Sequence, residues 1–108
     1  MLKVEYSPKA LEDLQDLNIY IAENWGTDVS NKILKKIVSS VRNLELYPSS
    51  GASLGKIINV ETDYRYIFIE KNYVFYRLES SKIKIVRILN EHQDYILQLF
   101  DISSDAEK

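Results

Sequence analysis

Asp63 to Phe100, DYRYIFIEKNYVFYRLESSKIKIVRILNEHQDYILQLF, contains three runs of β-branched and aromatic residues in close succession. They are YRYIFIE at 64–70, YVFYRLE at 73–79 and KIKIVRIL at 82–89, and residues of these types fit a pleated, half-buried surface. Only Lys71-Asn72 and Ser80-Ser81 separate them, short polar pairs of the kind that close β-hairpins. The spacing predicts an antiparallel three-stranded meander.

Towards the N-terminus the pattern changes period. Leu2-Lys3-Val4-Glu5-Tyr6 alternates apolar and polar, as a strand with one buried face does. Ser7-Pro8 reads as a helix N-cap followed by proline at the first helical position, where its missing N–H costs nothing. From Lys9 the spacing is helical: Leu11, Leu14, Ile21 and Trp25 form one stripe, with Leu17 and Ala22 beside it. Glu12, Asp13, Asp16 and Glu23 lie off that stripe. Gly26 is expected to end this helix and Thr27 or Asp28 to cap the next. The second helix reads from about Asp28 to Tyr47 on a stripe of Val29, Ile33, Ile37, Val41 and Leu44, widened by Leu34 and Val38. Lys32, Lys35, Lys36 and Arg42 occupy its flanks, and Pro48 stops it. So short a connection between two amphipathic helices implies an antiparallel hairpin.

Residues 48–56, PSSGASLGK, read as a loop, and Ile57-Ile58-Asn59-Val60 as a short strand or an extended entry to the meander. Gln93 to Phe100 suits a short closing helix, and Asp101 onward, DISSDAEK, a polar, frayed tail. The order implies an α+β fold: an N-terminal strand, a two-helix hairpin, then an antiparallel meander sheet and a short C-terminal helix. Residues 1–100 form the expected single domain and 101–108 the tail. A helix hairpin covers only one face of a sheet. The other face, with Tyr64, Tyr66 and Phe68, is either an exposed protein-binding surface or lies beneath the segment 93–100.

Composition narrows the function. A length of 108 residues, 45% hydrophobic and 28% charged, fits one globular unit with a core. Cysteine is absent, which removes disulfides and thiolate metal sites and suits a reducing cytoplasm. No run reaches the length of a membrane-spanning helix, and Met1-Leu2-Lys3 does not open like a signal peptide. With 14 basic residues against 16 acidic ones, a nucleic-acid partner would need its basic contacts clustered locally. No cofactor or metal motif occurs.

The candidate chemistry is sparse. His92, the single histidine, follows the last strand, a good position for a general acid or base and equally one for a solvated side chain. Arg65 and Arg87 sit on strands among apolar neighbours. They are either phosphate or carboxylate clamps, or ion-pair partners of Glu70, Glu79 or Glu91 across the sheet. Lys82 and Lys84 read as an exposed-edge device against aggregation.

Taken together, three segments resemble the RelE/ParE superfamily of toxins from type II toxin–antitoxin modules. They are VEYSPKALEDLQDLNIYIAENWG, then NLELYPSSGASLG with its Leu-x-x-x-Pro-x-x-Gly turn, then the meander ending ILNEHQDY. The resemblance spans about residues 2–100 and implies a β-α-α-β-β-β fold with a small C-terminal helix. RelE-like members of that superfamily are ribosome-dependent endoribonucleases that cut messenger RNA, and ParE-like members poison DNA gyrase. Where RelE-like members carry an arginine on the central strand this chain has Tyr73, and near their lysine pair it has Tyr64 and Tyr66. The usual ParE-like histidine at the strand end is Asn90 here, and the arginine after it is His92.

The resemblance therefore favours a ParE-like toxin that inhibits gyrase. A ribonuclease rebuilt from Arg65, Arg87, His92 and Tyr95, or a degenerate toxin retaining only antitoxin binding, is the alternative. It also implies a cognate antitoxin partner in a toxin–antitoxin hetero-oligomer. That partner would contact Leu14, Ile21, Trp25 and Ile33 on the helix hairpin and Tyr64, Tyr66 and Phe68 on the sheet.

Overall fold

The structure, a computed structural model, describes residues 2–58 and 61–100, the side chains of Ile96 and Leu97 apart. Its elements run β1 (Lys3–Tyr6), α1 (Pro8–Trp25), α2 (Thr27–Asn43), β2 (Ala52–Ser53), α3 (Leu54–Ile58), β3 (Arg65–Ile69), β4 (Asn72–Leu78), β5 (Lys82–Asn90) and α4 (Tyr95–Phe100). The sheet order is β1-β5-β4-β3-β2, with β1 parallel to β5 and every other pair antiparallel. The expected meander is thus the centre of a five-stranded mixed sheet. The tail 101–108 lies outside the described residues.

The first helix begins as its sequence requires: Ser7 Oγ accepts a hydrogen bond from Ala10 N at 3.0 Å, and Pro8 follows the cap. Its buried face differs from the expected stripe. Ala10 and Ile21 are buried and Leu14 and Leu17 pack on the core, whereas Leu11 and Trp25 are 54% and 59% exposed. A methyl group carries little weight in a hydrophobic pattern, yet Ala10 marks where the helix lies closest to the sheet. One glycine does the work expected of two caps. The Gly26 amide donates to Ala22 O at 3.0 Å, and its carbonyl accepts from Ser30 N at 3.1 Å. Its φ of 95° suits a residue without Cβ. Thr27 and Asp28 therefore lie inside α2. That helix ends at Asn43, short of the expected Tyr47, and Leu44 closes it with an amide bonded to Val41 O at 3.0 Å.

Lys82 and Lys84 lie on an interior strand, since β1 pairs alongside β5. They reach across to Glu5 Oε1 at 3.0 and 2.8 Å, and these hydrogen bonds, Lys84's first, hold the Glu5 carboxyl below its usual range. The edge on this side of the sheet is β1, where Val4 N donates to Glu45 Oε2 at 2.9 Å. Of the short strand or extended entry expected at 57–60, Ile57 and Ile58 instead end the short helix α3, and Asn59 and Val60 lie outside the described residues. Strand β2 forms earlier, inside the stretch read as a loop.

Two apolar clusters occupy opposite faces of the sheet. Val74, Tyr76, Ile83, Ile85 and Ile88 meet Ala10, Ile37, Val41 and Leu44 of the helix side. Phe75, Leu89 and Leu54 lie on the other face, packed against Tyr95, Leu99 and Phe100. The C-terminal segment therefore covers the second face, leaving Phe68 50% exposed.

The β3–β4 turn is Glu70-Lys71, one residue earlier than expected, because Asn72 already pairs with Ile69. Glu70 and Lys71 have φ of 50° and 65°, the left-handed region that primed hairpin turns demand and that Asn-Gly usually supplies. Three contacts hold it: Asn72 Nδ2 to Glu70 O at 2.7 Å, Lys36 to the Glu70 carboxylate at 3.0 Å, and Glu91 N to Lys71 O at 3.0 Å. A side chain in this region costs about 1 kcal/mol. Replacing Glu70-Lys71 by Asn-Gly is expected to raise stability by about 1 kcal/mol and the melting temperature by roughly 4 °C. A thermal melt that does not rise would show the turn to be unstrained.

Candidate functional site

The four residues that a ribonuclease would need stand apart, each held by its own neighbours. Arg65 stands opposite Tyr76 in the β3–β4 register. Its Nη2 donates to Ser49 O at 2.9 Å and Gly51 O at 2.7 Å. Tyr76 serves the same turn, donating from Oη to Pro48 O at 2.8 Å and accepting from Gly51 N at 3.0 Å. Together they clamp Pro48–Gly51 through three backbone carbonyls and one backbone amide.

Arg87 is also committed. Its Nε and Nη2 grip the two Asp13 oxygens at 2.8 and 2.9 Å, a charge-assisted fork, and its Nη1 reaches Gln98 Oε1 on α4 at 3.2 Å. The hydrogen bonds it donates to Asp13 push its already high pKa further up. Neither arginine takes the expected partner Glu70, Glu79 or Glu91.

Tyr95 packs against the rings of Tyr73 and Phe75, both centroids at 5.4 Å. Burial first, and then the neighbouring Tyr73 and Tyr66, push its pKa up, so the phenol keeps its proton and makes a poor base. The His92 side chain is 85% exposed, with Nε2 3.7 Å from Glu91 Oε2. Among the described residues, no hydrogen bond, ion pair or ring contact joins any two of these four, and no metal-binding group of His, Asp or Glu occurs.

What the surface does offer is a groove. Two adjoining clefts of about 410 and 440 Å³ share Leu17, Tyr20, Asn72, Asn90 and His92, so they form one channel between α1 and the turn end of the sheet. Asp13 and Asp16 lie at one end, and Trp25, Val29, Ile33 and Lys71 at the other. Tyr20 and Trp25 meet edge to face, centroids 5.7 Å apart and planes at 74°, although both are more than half exposed. Exposed, mutually braced aromatics over an apolar floor are the usual anchors of a protein interface.

Ile21, Trp25 and Ile33 line this groove, while Leu14 is turned into the core. Tyr64 and Tyr66 lie on the other face, Tyr64 against Phe100 and Tyr66 against Tyr73. Phe68 sits beside them, its ring 4.8 Å from Tyr73. The residues expected to bind one partner are therefore divided between two faces. Tyr20, Val29, Asp16 and Lys71, which also line the groove, were not among the binding residues expected from the sequence. Tyr20 carried a readable signal, a large aromatic off the apolar stripe of an amphipathic helix.

The fold itself is that of toxins from toxin–antitoxin systems. The structure described as the chromosomal ParDE TA system from P. aeruginosa is similar over 83% of this chain and 96% of that one, with TM-score 0.71 and 22% identity. The YoeB-YefM complex from Staphylococcus aureus is similar over 82% and 95%, with TM-score 0.53 and 22% identity. No protein of curated function matches the chain. Residues 4–95 match the family described as the ParE toxin of type II toxin–antitoxin systems, and the chain belongs to that family. No described helix is long and apolar enough to cross a membrane.

Proposed function

We propose that this protein arrests growth by inhibiting DNA gyrase through protein contacts, and that a cognate antitoxin neutralises it by occupying the groove beside α1. The observation that carries this reading is the commitment of Arg65 and Arg87. Arg87 grips Asp13 through Nε and Nη2, and Arg65 is tied through Nη2 to the carbonyls of Ser49 and Gly51. A ribonuclease would need such cations free to hold a scissile phosphate. Membership of the ParE toxin family supports the gyrase target. The toxin–antitoxin systems solved with this fold support the antitoxin partner.

Purified protein added to gyrase should block supercoiling and accumulate cleavage complexes. No effect with the protein in excess would remove the gyrase target. Induction in cells should arrest growth, and Tyr95→Phe, which keeps the ring packing, should arrest it equally. Primer extension on translating messages should then show no codon-phased cuts. Cuts that appear and are abolished by His92→Ala would establish the ribosome-dependent ribonuclease instead. Absence of growth arrest, with antitoxin binding retained, would mark a degenerate toxin.

A further inference from the structure

We infer that the outward face of α2 binds the phosphate backbone of double-stranded DNA without regard to sequence. On the functional reading above, that duplex is the segment held by gyrase, and α2 grips it in the cleavage complex.

Helical spacing sets this face. Ile37 and Val41 are buried against the sheet, and Lys32, Lys35, Lys36 and Arg42 all stand exposed on the opposite side of the helix. No carboxylate occurs between Asp28 and Glu45. The net charge of −2 therefore conceals a separation of charge, with Glu12, Asp16 and Glu23 exposed on α1 and the cations gathered on α2. Local clustering of this kind is what a nucleic-acid partner requires of a chain with more acidic than basic residues. None of the four cations lines the groove beside α1, so the basic face is a separate surface.

Most of these cations have no carboxylate to answer them. Lys36 reaches Glu70 at 3.0 Å, whereas Lys32, Lys35 and Arg42 make no ion pair or hydrogen bond among the described residues. Lys32 lies three residues from Lys35 and four from Lys36, spacings at which like charges on a helix repel. The first helix instead pairs Lys9 with Glu12 at 3.5 Å. An anionic ligand relieves the repulsion on α2, and the geometry of the face selects its kind. Lys32 to Arg42 covers about 15 Å at 1.5 Å per residue, the reach of about four phosphates along one DNA strand. Ser39 and Asn43, exposed on the same face, can donate to phosphate oxygens. No aromatic residue occurs from Lys32 to Asn43, so unpaired bases find no ring to stack on. Point charges on a helix face suit the backbone of a duplex.

The test is fluorescence anisotropy of a short labelled DNA duplex of arbitrary sequence, titrated with the full-length protein. Binding should be indifferent to sequence and fall steeply with salt. Lys32→Ala combined with Lys35→Ala should weaken it at least tenfold and lower the slope of log K against log salt by about 2, while the variant melts within a few degrees of wild type. Arg42→Ala should act in the same direction, and Lys56→Ala, which removes an exposed cation on α3, should change nothing. With gyrase present, the double variant should form at least tenfold fewer cleavage complexes and still bind DNA-free gyrase as wild type does. No duplex binding by the wild-type protein, equal binding by the double variant, or tighter binding to an RNA duplex would overturn the inference. Weaker binding of the double variant to DNA-free gyrase would also overturn it, by assigning the face to an acidic surface of the enzyme. Supercoiling blocked by a wild-type protein that binds no duplex would remove this inference alone. Duplex binding with no effect on gyrase would remove the gyrase target and leave the basic face as a DNA contact.

Discussion

Asp13→Ala is expected to lower stability by about 3 kcal/mol, the cost of leaving a largely buried guanidinium without its counter-charge. The Arg87 and Asp13 side chains are only 12% and 11% exposed, so little solvent is at hand to replace the lost bonds. Asp13 also accepts from Ile88 N at 2.9 Å, the amide beside the point where β5 has outrun β1. Losing the carboxylate therefore orphans a cation and a strand amide together. The extra residue Val86 makes this region more dependent on side-chain partners. Phe75 stands opposite Arg87 and Tyr76 opposite Ile85, so the ladder itself is interrupted here. For a domain of this size the loss corresponds to roughly 12 °C in melting temperature. Asp13→Asn should cost less, because an amide oxygen can still accept from Ile88 N. Adding Arg87→Met to Asp13→Ala should recover part of the loss, since it removes the unpaired charge. A melting temperature within 3 °C of wild type for Asp13→Ala would show that the pair holds nothing together.

The elements that could be read in the sequence are those whose signal is local. Alternation marked the meander strands, Ser7-Pro8 marked the start of α1, and Gly26 marked its end, because each depends on backbone preferences of adjacent residues. What could not be read depends on residues distant in the chain. β1 joins the sheet beside β5, a contact across nearly 80 residues, and that one pairing turns Lys82 and Lys84 from edge residues into partners of Glu5. The same limit applies to the arginines. Their expected glutamate partners were close in sequence, whereas Arg87 found Asp13 on the first helix. The groove was half legible. Trp25, Ile21 and Ile33 were recognisable as apolar helix residues, but the opposing wall of Lys71, Asn72 and His92 exists only once the sheet has folded against α1.

Gly51→Ala should be at least as damaging as the loss of Asp13, for a steric reason. A Cβ on Gly51 would fall 2.5 Å from Tyr76 Oη, 2.8 Å from Tyr76 Cε1 and 2.7 Å from Tyr66 O. None of these atoms yields easily. Tyr66 lies within β3, paired with β2 on one side and β4 on the other, so its carbonyl cannot retreat without breaking the sheet. Tyr76 is fully buried in the main core, and shifting its ring breaks the bonds to Pro48 O and Gly51 N. Overpacking of this kind costs about 1–3 kcal/mol. Each lost hydrogen bond adds about 1 kcal/mol, for a total near 4 kcal/mol. Against a typical stability of about 5–15 kcal/mol, that brings the fold close to its limit. Tyr76→Phe should cost about 2 kcal/mol, since it leaves the Gly51 amide and Pro48 carbonyl without their partner. The two changes should not add: without Oη the nearest clash disappears, so the double variant should be more stable than the sum predicts. Urea denaturation of the two single variants and the double variant measures that coupling. Strict additivity would show that the glycine is required for something other than the close approach of Tyr76.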